Sequence, residues 1–140
     1  MTTPFTKASD IADYLATLLA TIKIDDGFNT DIGTTVYRGR RMVDDDMVPC
    51  SVIIEGEDKP GDQVSREEIK ITQNYVLGGY VRCDPDHPND AAHKVIKDIK
   101  KVVFGDGPRM GNRVRAVSYV GRDIGPRADG VPIVFAVVHI

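Results

Sequence analysis

From Ile11 to Ile22 the apolar residues Ile11, Tyr14, Leu15, Leu18, Leu19 and Ile22 recur at i, i+3, i+4, i+7, i+8 and i+11. That spacing predicts one apolar stripe on a helix of 3.6 residues per turn. Ser9 and Asp10 stand where an N-cap belongs, and the stripe stops at Lys23. Asp25, Asp26, Gly27, Asn29, Asp31 and Gly33 then supply residues that tolerate turns and left-handed backbone, before Thr35 to Arg38 turn extended. Residues 40–46, crowded with Arg40, Arg41, Asp44, Asp45 and Asp46, predict a loop. Cys50, Val52 and Ile54 alternate with Ser51, Ile53 and Glu55, and the apolar Ile53 between them predicts a largely buried strand. Gly56, Pro60 and Gly61 fall in a stretch without periodicity, which predicts a long loop over 56–66.

Beyond it, Ile69, Ile71, Tyr75 and Leu77 alternate with Lys70, Thr72 and Asn74, the pattern of a strand running from Glu67 to Arg82. Gly78 and Gly79 interrupt that strand and predict a bulge or a sharp bend. Asp84 to Asp90 reads as a turn opening a second helix, with Ala92, Val95, Ile96, Ile99, Val102 and Val103 as its buried stripe. Lys94, Lys97, Asp98, Lys100 and Lys101 should face outward, the late lysines favoured by the helix dipole. Residues 105–113 predict a loop, Val114 to Gly121 a strand, and 122–130 another loop. Val131 to Ile140 is almost continuously apolar and predicts a strand covered on both faces. The order helix, strand, strand, strand, helix, strand, strand predicts an α+β single domain. Its sheet should be mixed, mainly antiparallel and of about five strands, packed by two helices. Removing Phe135 to Ile140 should then unfold the chain rather than trim it.

The bulk composition narrows the function classes. At 140 residues, 41% hydrophobic and 28% charged, the chain has the balance of a folded soluble domain. Eighteen Lys and Arg against twenty-one Asp and Glu give a net charge of −3, which argues against gripping nucleic acid with the whole surface. No apolar run approaches the roughly 20 residues that span a bilayer, and Met1 to Asp10 lacks the basic-then-apolar order of a secretory signal. The expectation is a soluble protein of the cytoplasm with no membrane partner. Cys50 and Cys83 sit in strand-like surroundings and read as two reduced thiols.

Candidate chemistry is sparse. Cys83, Asp84, Asp86, His87 and His93 bring a thiolate and two imidazoles within eleven residues, enough in principle for tetrahedral zinc, but the spacing fits turn and helix-start chemistry better. No nucleophile with a neighbouring base and no phosphate-binding glycine motif is legible. The expectation is a chain with no catalytic residues, no metal and no cofactor. Arg38, Arg40, Arg41, Arg109, Arg113, Arg115, Arg122 and Arg127 cluster in or beside predicted loops and strand ends, where arginine forks suit interfaces. Asp44 to Asp46, Glu55 to Asp58 and Glu67 to Glu68 supply the opposite charge, so head-to-tail pairing of identical subunits is physically available. The candidate interface set is Arg38, Arg40, Arg41, Asp44, Asp45, Asp46, Glu57, Asp58, Arg66, Arg109, Arg113, Arg122 and Arg127, carried on loops 40–46, 56–66, 105–113 and 122–130.

Three stretches, Leu18-Leu19-Ala20-Thr21-Ile22-Lys23, Gly27-Phe28-Asn29-Thr30-Asp31-Ile32-Gly33 and Val36-Tyr37-Arg38-Gly39-Arg40-Arg41, resemble the opening of tail terminator (tail completion) proteins of long-tailed bacteriophages, of the lambda-like minor tail protein U type. His93 to Lys100, the strand ending at Tyr119-Val120-Gly121 and the Asp129-Gly130 turn extend the similarity over nearly the whole chain. The resemblance implies a non-enzymatic virion protein, assembled in the host cytoplasm at the head-proximal end of the tail. Its subunits would form a hexameric ring that caps the tail tube, ends polymerisation and presents its other face to the head-tail connector. A sheath would be a further partner if the tail contracts, and DNA would only pass through the lumen. The alternatives are a head completion or neck adaptor protein, a small metal-binding enzyme around Cys83, His87 and His93, and a monomeric binding module.

Overall fold

The computed structural model describes residues 4–39, 47–63, 69–84, 86–105, 117–125 and 133–140. It contains a five-stranded mixed sheet packed by two helices, an α+β arrangement as the sequence predicts. Helix α1 spans Pro4–Ala20 and α2 spans Pro88–Phe104. The strands are β1 (Val36–Arg38), β2 (Cys50–Gln63), β3 (Ile69–Arg82), β4 (Gly121–Ile124) and β5 (Ile133–His139). Their order is β1-β2-β3-β5-β4, with β1 parallel to β2 and every other pair antiparallel.

Both helices lie on one face of the sheet and share one core. Ile11, Leu15 and Leu19 of α1 and Val95, Ile96, Ile99 and Val103 of α2 meet Ile53, Leu77, Val134 and Val138 from alternate strand positions. Each such side chain, fully buried, contributes about 1.5–3 kcal/mol. The α2 stripe is the predicted one, and all six of its residues are buried. Helix α1 begins earlier than expected, at Pro4, so Ser9 and Asp10 are interior helix residues and not a cap. Proline is tolerated in a helix's first turn because the amide it lacks would have no partner there.

The chain leaves α1 through tightened bonds, with Thr21 N donating to Leu18 O and Ile22 N to Leu19 O, both at 3.1 Å. Two short 3₁₀ turns, Ile24–Asp26 and Ile32–Thr34, carry it to β1, with Gly27 between them in left-handed backbone at φ +93°. Gly33 is required for another reason. A Cβ there would stand 2.5 Å from Leu19 O and 2.6 Å from Ile22 O, both backbone atoms that cannot swing aside.

Three sequence expectations need correction. First, the stretch read as a loop over 56–66 is strand as far as Gln63, antiparallel to β3. Its register slips twice, between Glu55 and Asp58 and between Pro60 and Gln63, each time by one extra residue on β2. The residues that suggested a loop, Gly56, Pro60 and Gly61, fall in or beside these bulges, where glycine and proline are admitted. Second, Gly78 and Gly79 make no bulge, because both sit in unbroken register, opposite Val52 and Ser51 on one side and Val137 and Ala136 on the other. They are there for clearance: a Cβ on Gly78 would meet the Phe135 ring, and one on Gly79 would lie 2.8 Å from Val95 Cγ1. Third, of the strand expected over Val114 to Gly121, residues 114–116 lie outside the described residues and 117–120 are not strand, whereas Gly121–Ile124 is, in part of the stretch read as a loop over 122–130. Gly121, Arg122 and Asp123 look loop-like, but an edge strand needs little apolar character and benefits from charge.

Candidate functional site

Asp98 is the most consequential departure from the helical pattern. It was expected to face solvent with the lysines, yet it is 0% exposed. Its carboxylate accepts from Asn29 N at 3.0 Å, Asn29 Nδ2 at 3.0 Å and Thr30 Oγ1 at 2.7 Å. Hydrogen bonds of this kind to a charged acceptor are the strong ones, and they offset the desolvation of a buried carboxylate. The clasp ties the middle of α2 to the segment leading into β1. Asp98 lies three residues after Val95 and four before Val102, so its spacing already placed it beside the apolar stripe, whereas its charge suggested the outside.

The predicted interface residues are scattered. Arg38 ends β1 and stands 4.0 Å from Glu55 of β2, an exposed pair of the kind worth little to stability. Glu57 and Asp58 belong to β2, Asp58 opposite Gln73 of β3. Arg122 lies on β4 and places Nη1 3.0 Å from His93 Nδ1 on α2. Arg40, Arg41, Asp44, Asp45, Asp46, Arg66, Arg109, Arg113 and Arg127 lie outside the described residues, as do Arg115 and most of loops 105–113 and 122–130.

The metal candidates do not converge. Asp84 Oδ2 lies 3.3 Å from His87 Nδ1, both side chains largely exposed, while Asp84 Oδ1 accepts from Asp86 N. These hydrogen bonds, first that from the Asp86 amide and then that from His87, hold the Asp84 carboxyl below its ordinary pKa. His93 is engaged by Arg122 instead. Among the described residues no group of three or more His, Cys, Asp or Glu side chains is placed to hold a metal ion. Arg82, Cys83 and Asp84 at the end of β3 face His87, Asp90 and Lys94 across a shallow depression of about 390 Å³. Its charges are mixed and it opens to solvent, which gives no basis for choosing a substrate.

The face of the sheet opposite α1 and α2 carries a different surface. Tyr80 and Phe135 stack at 4.2 Å between ring centroids and 17° between planes. Burial raises the pKa of the Tyr80 phenol, helped by the proximity of Cys50. Cys50, Val52 and Val137 lie on the same face, buried but outside the core that the helices share. At the C-terminal end of α2, Tyr119 is 46% exposed, with Lys100 Nζ 4.1 Å above its ring and Phe104 edge-on at 6.4 Å. Neither surface was singled out from the sequence.

The longest departure from the body of the fold is the β2–β3 pair. Strand β5 pairs with Val76 to Arg82 of β3, and β1 pairs with Ser51 to Ile53 of β2. The main-chain bonds between Tyr75 and Ile140 close that ladder. Past Glu55 and Tyr75 the two strands continue as a ribbon with no third strand beside them among the described residues. Eight further residues of β2 carry it on the order of 20–25 Å. A search against protein-family models and curated proteins finds no match to the chain. No helix among the described residues is long and apolar enough to cross a membrane.

Proposed function

We propose that this chain is a structural ring subunit of the phage tail terminator type, which caps a tail tube and joins it to the head-side connector. The observation that carries the reading is the β2–β3 ribbon. A two-stranded ribbon is marginal in water by itself, and among the described residues this one runs beyond the strands that flank it. Such an extension gains its stability and its purpose from a partner. Two short sheet edges support the same reading. Strand β1 ends in Arg38, and β4 carries Arg122 and Asp123, a charged pattern that suits controlled pairing between subunits.

The stretches of sequence that resemble tail terminators add to this, as does the net charge of −3. An acidic ring offers passing DNA no general phosphate grip. In this reading the arginines meet protein partners, and DNA contacts the lumen only in transit.

The test is capping. Purified chain added to polymerising tail tube protein is expected to give tubes of bounded length with a ring at one end in negative-stain micrographs. Unchanged tube lengths, with the chain bound to a portal or connector ring instead, would move the assignment to a neck adaptor protein. A stoichiometric metal lost on Cys83→Ser would overturn the structural-protein reading altogether.

A further inference from the structure

The two helices present opposite charge to solvent. They lie in one layer on the sheet, α1 against β1 and β2 and α2 against β3, β5 and β4, and they touch each other. On α2, Lys94, Lys97 and Lys101 each stand two positions from a buried residue on either side: Ala92 and Ile96, Val95 and Ile99, Ile99 and Val103. Two positions turn a helix by about 200°, so all three lysines lie opposite the core, and all are exposed, along about 10 Å of helix. Lys101 rests on the Phe28 ring at 4.7 Å and reaches Gly27 O at 3.4 Å, which fixes one end of the row. Asp98, the carboxylate within the row, is turned inward and committed to Asn29 and Thr30. On α1, Asp13 stands in the same relation to Ile11 and Leu15 and is exposed, and the exposed Asp25 and Asp26 follow in the 3₁₀ turn beyond the helix. From Asp10 to Asp26 the sequence carries four carboxylates and one cation, Lys23. The ion pairs among the described residues are Arg38 with Glu55 and His87 with Asp84, so neither the three lysines nor Asp13, Asp25 and Asp26 belong to one.

We propose that the helical layer is a self-association surface, on which the acidic side of α1 and its following turn in one copy lie against the lysine row on α2 of a second copy. The acidic and basic surfaces are neighbours in one layer. A second copy turned over about a two-fold axis between them therefore sets each helix against its opposite in charge. Such a contact is isologous: it is made twice and closes at two subunits. Ile24, 55% exposed between Lys23 and Asp25, and the aliphatic stems of the α2 lysines supply apolar surface between the charges. The dimer goes beyond the ring reading and stands or falls without it. Because the contact is made between exposed charges, it weakens as salt shortens the Debye length.

Charge exchange tests this with the full chain. Sedimentation velocity over a concentration series, at low and high salt, compares the wild type with Asp13→Lys/Asp25→Lys and with Lys94→Glu/Lys97→Glu. The wild type is expected to form a salt-sensitive dimer, and each variant alone to dimerise roughly tenfold more weakly, with thermal unfolding unchanged. The first variant is basic on both helices and the second acidic on both, so an equimolar mixture should recover a dimer containing one of each. Misfolded variants could not produce that recovery. A wild type that stays monomeric at low salt, association indifferent to both variants, or a mixture that stays as weak as its parts overturns the proposal. Duplex DNA bound by the wild type and lost on Lys94→Glu/Lys97→Glu, with association unchanged, also overturns it and gives the row to phosphate. A closed six-membered ring indifferent to the exchanges would sink the helical contact and leave the ring reading standing. A charge-dependent dimer of a chain that caps no tube would do the reverse.

Discussion

The two halves of the β2–β3 pair are made by the same strands and differ in what covers them. In the inner half, Cys50 to Glu55 pairs residue for residue with Tyr80 to Tyr75, flanked by β1 and β5 and roofed by both helices. In the outer half the register slips twice, and no third strand flanks it among the described residues. The inner half contains Val52, Ile53 and Leu77, each at most 1% exposed, whereas in the outer half Gly56 and Thr72 are exposed and Gln73 and Asn74 half-buried. Main-chain pairing is thus common to both, and among the described residues the flanking strands and the helices are what set the inner half apart.

The sharpest way to break this comparison is to remove the flank of the inner half. Deleting Phe135 to Ile140 takes away β5, which lies between β3 and β4, and is expected to abolish cooperative unfolding in urea and heat. A soluble, cooperatively folded truncation would show that the inner half does not depend on its neighbours. Next in size, Leu77→Ala empties a fully buried position beneath the helices and should cost about 3–4 kcal/mol by urea denaturation. Asp98→Ala releases the roof from the segment before β1, leaving the Asn29 amide and Thr30 hydroxyl without their acceptor, and should cost about 2–3 kcal/mol.

In the outer half the expectation reverses. Thr72→Ala should change stability by less than about 0.5 kcal/mol, and a loss comparable to that of Leu77→Ala would show that the ribbon is part of the core after all. The smallest effect belongs to the exposed Asp84 beyond the inner end of β3. Its folded pKa is depressed, so its contribution is present above the unfolded pKa and fades as pH falls through the folded one. Asp84→Asn should therefore alter the pH dependence of stability only at the acid end of a melting series. An acid limb that stays unchanged would contradict the assigned hydrogen bonds.

Much of the interior was legible in the chain because its signals are local. Both helical stripes, the alternation in β2 and β3 and the apolar run of β5 are periodicities that a few consecutive residues contain, and the structure buries Ile11, Leu15, Leu19 and Ile22 of the first stripe, all of the second, and Val52, Tyr75, Leu77, Val134, Ala136 and Val138, while Tyr14, Leu18 and Ile54 are half-buried. The candidate interface was less legible. Arg38 was expected at a strand end and lies there, but Glu57, Asp58 and Arg122 were read as loop residues, and the structure places all three on strands. Glycine, proline and charge are ambiguous signals there, since a bulged ribbon and an edge strand accept the same residues as a loop.

The sequence by itself therefore determined which faces of the helices and inner strands must be hidden from water, since hydrophobic periodicity follows from backbone geometry alone. Tertiary structure alone decided where the exceptions fall. Asp98 is buried because Asn29 and Thr30, nearly seventy positions away, meet its carboxylate. Gly79 is small because Val95 and Ile32 arrive above it, and Gly121 to Ile124 are a strand because β5 offers them a ladder. Each depends on a partner distant in the chain, and no local pattern carries that information.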